Sequence, residues 1–161
     1  MDNSNKANVD VVITTYKPND YFKILINRLE RQTVKIANIF IINMLDQTKE
    51  NAEGVYNFSY EMGKVHYNGI IAEDGDIMHF DDVCGNNIHI EYVTKEELCE
   101  KGTTSIVKSL SEAEYVLYVA QNVLPVDKYM LENMLKGFKD KKMGAVYARQ
   151  LPNKSFNYIE K

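Results

Sequence analysis

Apolar residues in this chain fall into short, dense runs divided by polar stretches, and the pattern predicts alternating strands and helices. The first run, Val9-Asp10-Val11-Val12-Ile13-Thr14-Thr15-Tyr16-Lys17-Pro18, is rich in β-branched residues and closes on a proline. A near-continuous apolar run this short reads as a strand buried on both faces, typical of parallel α/β sheets. Periodicity alone also fits a buried helix segment; the β-branching and Pro18 favour the strand. Lys17-Pro18-Asn19-Asp20 reads as a helix start, with Asn19 or Asp20 as the cap. Phe22, Leu25, Ile26 and Leu29 then recur at helical spacing, while Arg28, Glu30, Arg31 and Gln32 fall largely on the other face. Ile36 to Ile42, ending in Asn43, predicts a second buried strand and completes a βαβ unit.

From 47 to 87 the pattern is weaker, and we expect an irregular insertion there with one or two added strands. Val55-Tyr56-Asn57-Phe58-Ser59-Tyr60 alternates crudely, and Lys64 to Ile71 can form another short strand. Glu73-Asp74-Gly75-Asp76 reads as a turn, and Phe80 to Asn87 as a loop. Ile88 to Val93 is a well-patterned strand. Thr103 or Thr104 can cap a helix in which Ile106, Val107, Leu110 and Ala113 share a face. Tyr115 to Ala120 is a further strand, stopped by Gln121-Asn122 and Pro125. Asp127 can cap a helix with Met130, Leu131, Met134, Leu135 and Phe138 facing inward, and Met143 to Ala148 reads as a last strand. The sum is an α/β class chain, with a mostly parallel central sheet flanked by helices on both faces. In such sheets ligands bind beyond the carboxyl ends of the strands, which places Thr14, Thr15 and Tyr16 at a candidate site.

Composition narrows the function classes. The 161 residues suit one domain with a proper core, and 45% apolar against 26% charged residues argues against disorder. A net charge of -4 leaves no basic footprint for nucleic acid. No apolar stretch approaches the roughly 20 residues of a membrane helix, so no transmembrane segment is expected. Met1 to Lys6 carries no apolar signal core. Cys84 and Cys99 are not a close-spaced pair, and both read as reduced thiols of a cytoplasmic protein.

Taken together, these stretches resemble a known family. Val11-Val12-Ile13-Thr14-Thr15-Tyr16-Lys17-Pro18, the helix ending near Arg31-Gln32-Thr33, and Ile39-Phe40-Ile41-Ile42-Asn43 are similar to the opening of family-2 glycosyltransferases. Those enzymes have the GT-A fold, a Rossmann-like nucleotide-binding sheet. Later stretches resemble the rhamnosyltransferase-like branch. Glu96-Glu97-Leu98-Cys99-Glu100-Lys101-Gly102-Thr103-Thr104 stands where the branch has Glu-Phe-x-His-Gly-x-Thr-Arg. Gln121-Asn122-Val123-Leu124-Pro125-Val126-Asp127 stands where it has Gln-Asp-Ala-x-Pro-x-Asp, and Ala145 to Pro152 matches it nearly residue for residue.

The resemblance implies a nucleotide-diphosphate sugar as donor and a saccharide or lipid-linked acceptor, in cell-envelope polysaccharide assembly. It also implies a cytoplasmic protein, peripheral at the inner face of the membrane in some members; a homo-oligomer is compatible with it. Thr14, Thr15, Tyr16, Asn43 and Thr104 take the nucleotide-facing positions, and Gln121 and Asn122 the diphosphate and metal position. Four residues depart from the family. Asn43 replaces an Asp that accepts a hydrogen bond from the base, a bond an amide oxygen can still accept. Asn122 replaces the acid that would hold Mg²⁺ or Mn²⁺, and a neutral amide is a poor ligand for either. Thr104 replaces an Arg, and Glu100 a His. No catalytic base is identifiable, and the family's acceptor half, downstream of Arg149-Gln150-Leu151-Pro152, is expected to be missing.

Competing readings stand beside these. Asp127 fits a helix cap as well as a family position, and Arg149 and Gln150 fit either a sugar or phosphate contact or a surface position with Arg149 in a salt bridge. His79-Phe80-Asp81-Asp82 and His89-Ile90-Glu91 read as a solvated loop and strand face, not as a metal cluster. Cys99 lies among acids and makes a poor nucleophile. Two functions follow: a nucleotide-sugar-dependent transferase domain, or a non-catalytic relative that keeps the fold as a binding or assembly module.

Overall fold

A computed structural model of the chain describes residues 8–16, 18, 20–45, 55–62, 65–72 and 87–151. Strands β1 (Val9–Thr15), β2 (Ile36–Leu45), β3 (Val55–Met62), β4 (Val65–Ala72), β5 (Asn87–Thr94) and β6 (Tyr115–Ala120) form one sheet in the order β3-β4-β5-β2-β1-β6. All but β3 run parallel; β3 pairs antiparallel with β4 at the edge. The stretch expected to be irregular therefore contributes a hairpin, whose second strand extends the parallel sheet. The expectations for 73–86 and for the 152–161 tail lie outside the described residues.

Strands β1, β2 and β5 are largely buried because both faces carry helices. On one face, α1 (Asp20–Glu30) and α3 (Met130–Leu135) cover Val9, Val11, Ile13, Ile39, Ile41, Ile88 and Ile90. On the other, α2 (Lys95–Leu110) covers Val12, Phe40, Ile42 and Val93 through Val107 and its neighbours. Each fully buried Ile or Leu in these layers contributes roughly 1.5–3 kcal/mol of transfer free energy. This is the α/β fold with a mostly parallel sheet that the apolar runs predict.

Local chemistry corrects several boundaries. β2 runs two residues past Asn43, to Leu45. The helix expected to start at Thr103 or Thr104 starts at Lys95. Thr94 and Glu97 form a reciprocal capping box there, satisfying two otherwise orphaned donors. Gly102 (φ 69°, ψ 149°) kinks α2, in a region that side-chain-bearing residues avoid. Ala113 lies beyond the helix, which ends at Leu110 with Ser111 as its C-cap. Asp127 does not cap α3: its carboxylate accepts from the Tyr129 N–H two residues on, at 2.8 Å, and Tyr129 holds the cap position. Met143 to Ala148 forms no strand. This segment is largely exposed, and Val146 packs against Gly137, just after α3. No helix among the described residues is long and apolar enough to cross a membrane.

Candidate functional site

β1 lies at the point where the strand order reverses: the chain goes from β1 to β2 on one side and later returns to β6 on the other. A crevice at the carboxyl ends of such a pair is where open α/β sheets bind ligands. The register puts Thr15 beside Asn43 and Asn43 beside Tyr92. The last β1–β6 rung joins Thr14 to Ala120, so Gln121 stands level with Thr15. Side chains alternate across a strand. Tyr92, Asn43, Thr15 and Gln121 therefore form a polar row over four adjacent strands, on the α1 face and directly above the apolar core. Tyr92, Asn43 and Thr15 are only 2%, 4% and 4% exposed.

Gln121 closes one end of the row. Its Oε1 accepts from the Thr15 hydroxyl and from the Tyr16 N–H (2.9 Å), and its Nε2 donates to the Tyr16 carbonyl (3.0 Å). Physically, the side-chain amide continues the ladder after β6 has turned away, where the Val123 N–H bonds the Ala120 carbonyl. Within the row, Asn43 Oδ1 is buried and has no hydrogen-bond partner among the described residues. A buried acceptor left unpaired costs about 1–3 kcal/mol relative to a paired one. Tyr16 stands at the rim, 37% exposed.

The remaining predicted residues lie apart from this row. Thr14 points to the opposite, α2 face of β1. Thr104 is exposed on α2, after the Gly102 kink, on that same opposite side. Asn122 is exposed in the turn that follows β6, and Arg149 and Gln150 are exposed beyond α3. The donor set does not fit a hard divalent cation. Gln121 Oε1 already takes two donors, Asn122 offers one neutral amide, and no metal-holding group of His, Cys, Asp or Glu occurs among the described residues. His89 stacks on Phe40 with ring centroids 5.0 Å apart, and Cys99 is an exposed thiol. His79 to Asp82 and Cys84 lie outside the described residues.

Two residues assigned to the solvent face instead hold the segment between β6 and α3. Gln32 is buried; its Nε2 donates to the carbonyls of Asp127 (2.8 Å) and Arg28 (3.1 Å), and its Oε1 accepts from the Leu131 N–H (3.0 Å). Arg28 donates to the Pro125 carbonyl at 2.7 Å, and the Thr33 N–H to the Lys128 carbonyl at 2.9 Å. These bonds fix the path that leads away from Gln121. Helical periodicity was blind to the role of Gln32 because it lies past the last turn of α1, and to that of Arg28 because its partner is a backbone carbonyl distant in sequence.

No family model matches the chain. No curated protein matches it. Among solved structures it is similar to the crystal structure of S. aureus TarS 1-349, with a TM-score of 0.48 and 14% identity over 91% of this chain and 38% of that one. A second crystal structure of S. aureus TarS gives a TM-score of 0.47 and 16% identity over 90% of this chain and 23% of that one. The chain thus spans well under half the length of the TarS chains it matches, and the likeness carries no residue-level correspondence.

Proposed function

We propose that this chain is a glycosyltransferase-like domain that binds the nucleoside part of a nucleotide-diphosphate sugar at the carboxyl edge of its sheet. The observation that carries this reading is the unpartnered, buried Asn43 Oδ1 beside Thr15 and Tyr92. An acceptor in that state recruits a ligand N–H, because pairing recovers the desolvation penalty on binding. Bases with a ring N–H, such as uracil, supply one directly; cytosine and adenine supply theirs only from the exocyclic amine, beside a bare ring nitrogen that would face Asn43 Oδ1 as a second acceptor. Tyr16, at the rim, offers an aromatic face for the ring. The similarity of Val11 to Pro18, Ile39 to Asn43 and Ala145 to Pro152 to family-2 glycosyltransferases supports the sugar-nucleotide part. The saccharide or lipid-linked acceptor and a role in cell-envelope polysaccharide assembly rest on that resemblance alone.

A second reading is favoured by a specific observation: Gln121 is engaged by Thr15 and Tyr16, and Asn122 is an exposed neutral amide. A domain so arranged keeps the nucleoside pocket and serves as a binding or assembly module without transfer. Calorimetry with uridine, cytidine and a uridine-diphosphate sugar, with and without Mn²⁺, tests both. Uridine binding that exceeds cytidine binding supports the pocket. A tight, Mn²⁺-dependent increment for the sugar nucleotide supports the transferase, and its absence the module. Equal, negligible binding of all three overturns the assignment.

A further inference from the structure

The crevice between β1 and β6 is the place where backbone donors would meet the charged part of a ligand, yet Gln121 fills it. The Tyr16 N–H, one residue past β1, is committed to Gln121 Oε1, and so is the Thr15 hydroxyl; Gln121 Nε2 covers the Tyr16 carbonyl. Among the described residues, the buried side-chain atom without a partner is an acceptor in this row, Asn43 Oδ1. A phosphate requires donors and is repelled by acceptors, and it would have to displace three hydrogen bonds to reach Tyr16. Pairing of a neutral ring N–H at Asn43 Oδ1 breaks none of these three bonds.

We propose that Gln121 is a specificity-determining residue, whose amide occupies the anion position and restricts the row to a neutral, N–H-donating ligand at Asn43. The proposal builds on the nucleoside-binding reading but does not depend on which base is bound. It departs from the expectation that Gln121 faces a diphosphate. The phosphates of a bound nucleotide then extend into solvent and add little affinity.

The test compares the parent chain with Gln121→Ala and with Gln121→Met, which keeps the side-chain length without the amide. The probes are inorganic pyrophosphate, uridine and uridine diphosphate. Backbone amide signals report hydrogen exchange and binding at Tyr16, and calorimetry gives affinities. In the parent, pyrophosphate leaves the Tyr16 amide unshifted, and the diphosphate binds within about threefold of uridine, under 1 kcal/mol. In both variants the Tyr16 amide exchanges faster, pyrophosphate shifts it, and the preference for diphosphate over uridine rises about tenfold.

Pyrophosphate binding at Tyr16 in the parent overturns the proposal. So does faster Tyr16 exchange with an unchanged diphosphate preference, since Gln121 would then be a ladder cap and no more. If uridine binds neither parent nor variants while pyrophosphate behaves as stated, the nucleoside reading falls and the exclusion of anions by Gln121 stands.

Discussion

The two ends of the parallel sheet both bury polar side chains, but they treat them differently. At the amino end, Asp10 is 1% exposed. The β1–β2 register shifts there, pairing Val9 with Ile36 and Asp10 with Asn38, so that Ala37 is extra. Asp10 Oδ1 accepts from the Asn38 N–H (3.0 Å) and Nδ2 (2.9 Å), and Oδ2 accepts from the Ser111 hydroxyl at 2.6 Å. Asn87 Nδ2 donates to Asn38 Oδ1 at 2.7 Å, which carries the network to β5. At the carboxyl end, Asn43 is almost as buried, yet its oxygen is unpaired among the described residues. A satisfied network fixes register and rigidifies the core; an unsatisfied acceptor is destabilising unless something outside the chain completes it. Polarity and burial alone would rank the two ends alike. Hydrogen-bond accounting separates a fastening from a site.

Substitutions sharpen that contrast. The largest expected effect is at the amino end. Asp10→Ala leaves the bulge N–H of Asn38 and the Ser111 hydroxyl without their acceptor, and we expect a loss of about 3 kcal/mol in denaturant-monitored stability. Uridine affinity of the folded fraction should stay unchanged. Next is Gln32→Ala, which removes a buried amide shared by α1, Asp127 and Leu131. About 2 kcal/mol should be lost, with the Leu131 amide gaining exchange more than any in β2.

Asn43→Leu inverts the pattern. Stability stays within about 0.5 kcal/mol of the parent or rises, because no protein hydrogen bond is broken, while uridine affinity falls about tenfold or more. A large loss of stability in this variant would mean that the acceptor is paired within the fold, and the two ends would then be alike.

The smallest effect lies away from both ends. The Lys136 ammonium and the Thr33 hydroxyl hold the exposed Glu132 carboxylate below its ordinary pKa. A depressed carboxylate pKa adds stability above the unfolded-state value, and that increment disappears as pH falls through the folded-state value. The slope of stability against pH in the acid range should therefore flatten slightly in Glu132→Gln, with no change near neutrality.

The strands β1, β2, β5 and β6 and the helix α1 were legible because each concentrates apolar residues at the period its burial demands. Legibility failed where structure depends on a partner. Met143 to Ala148 is a short run of small and apolar residues that reads like a strand but makes no ladder; Val146 finds a packing site against Gly137. The 47–87 stretch held two strand-like runs whose pairing, β3 onto β4 and β4 onto β5, no local pattern could state. The start of α2 was missed although its signal was present: Thr94-Lys95-Glu96-Glu97 is a capping-box sequence ahead of a helix. Thr15, Tyr16, Asn43 and Gln121 were each marked from the sequence as candidates. What it could not supply is which groups were already taken. That Gln121 bonds Tyr16 while Asn43 Oδ1 stays unpaired depends on the register of three strands distant in sequence. Tyr92, one rung beyond Asn43, went unmarked within the strand Ile88 to Val93 for the same reason.

The most direct test of the account is a titration of the chain with uridine, followed by the side-chain amide signals of Asn43, Asn38 and Asn87. The account predicts saturable shifts at Asn43 with accompanying shifts at Thr15, Tyr16 and Tyr92, while Asn38 and Asn87 at the opposite edge stay still. Shifts confined to other parts of the chain, or an Asn43 amide that does not respond at saturating ligand, would contradict it.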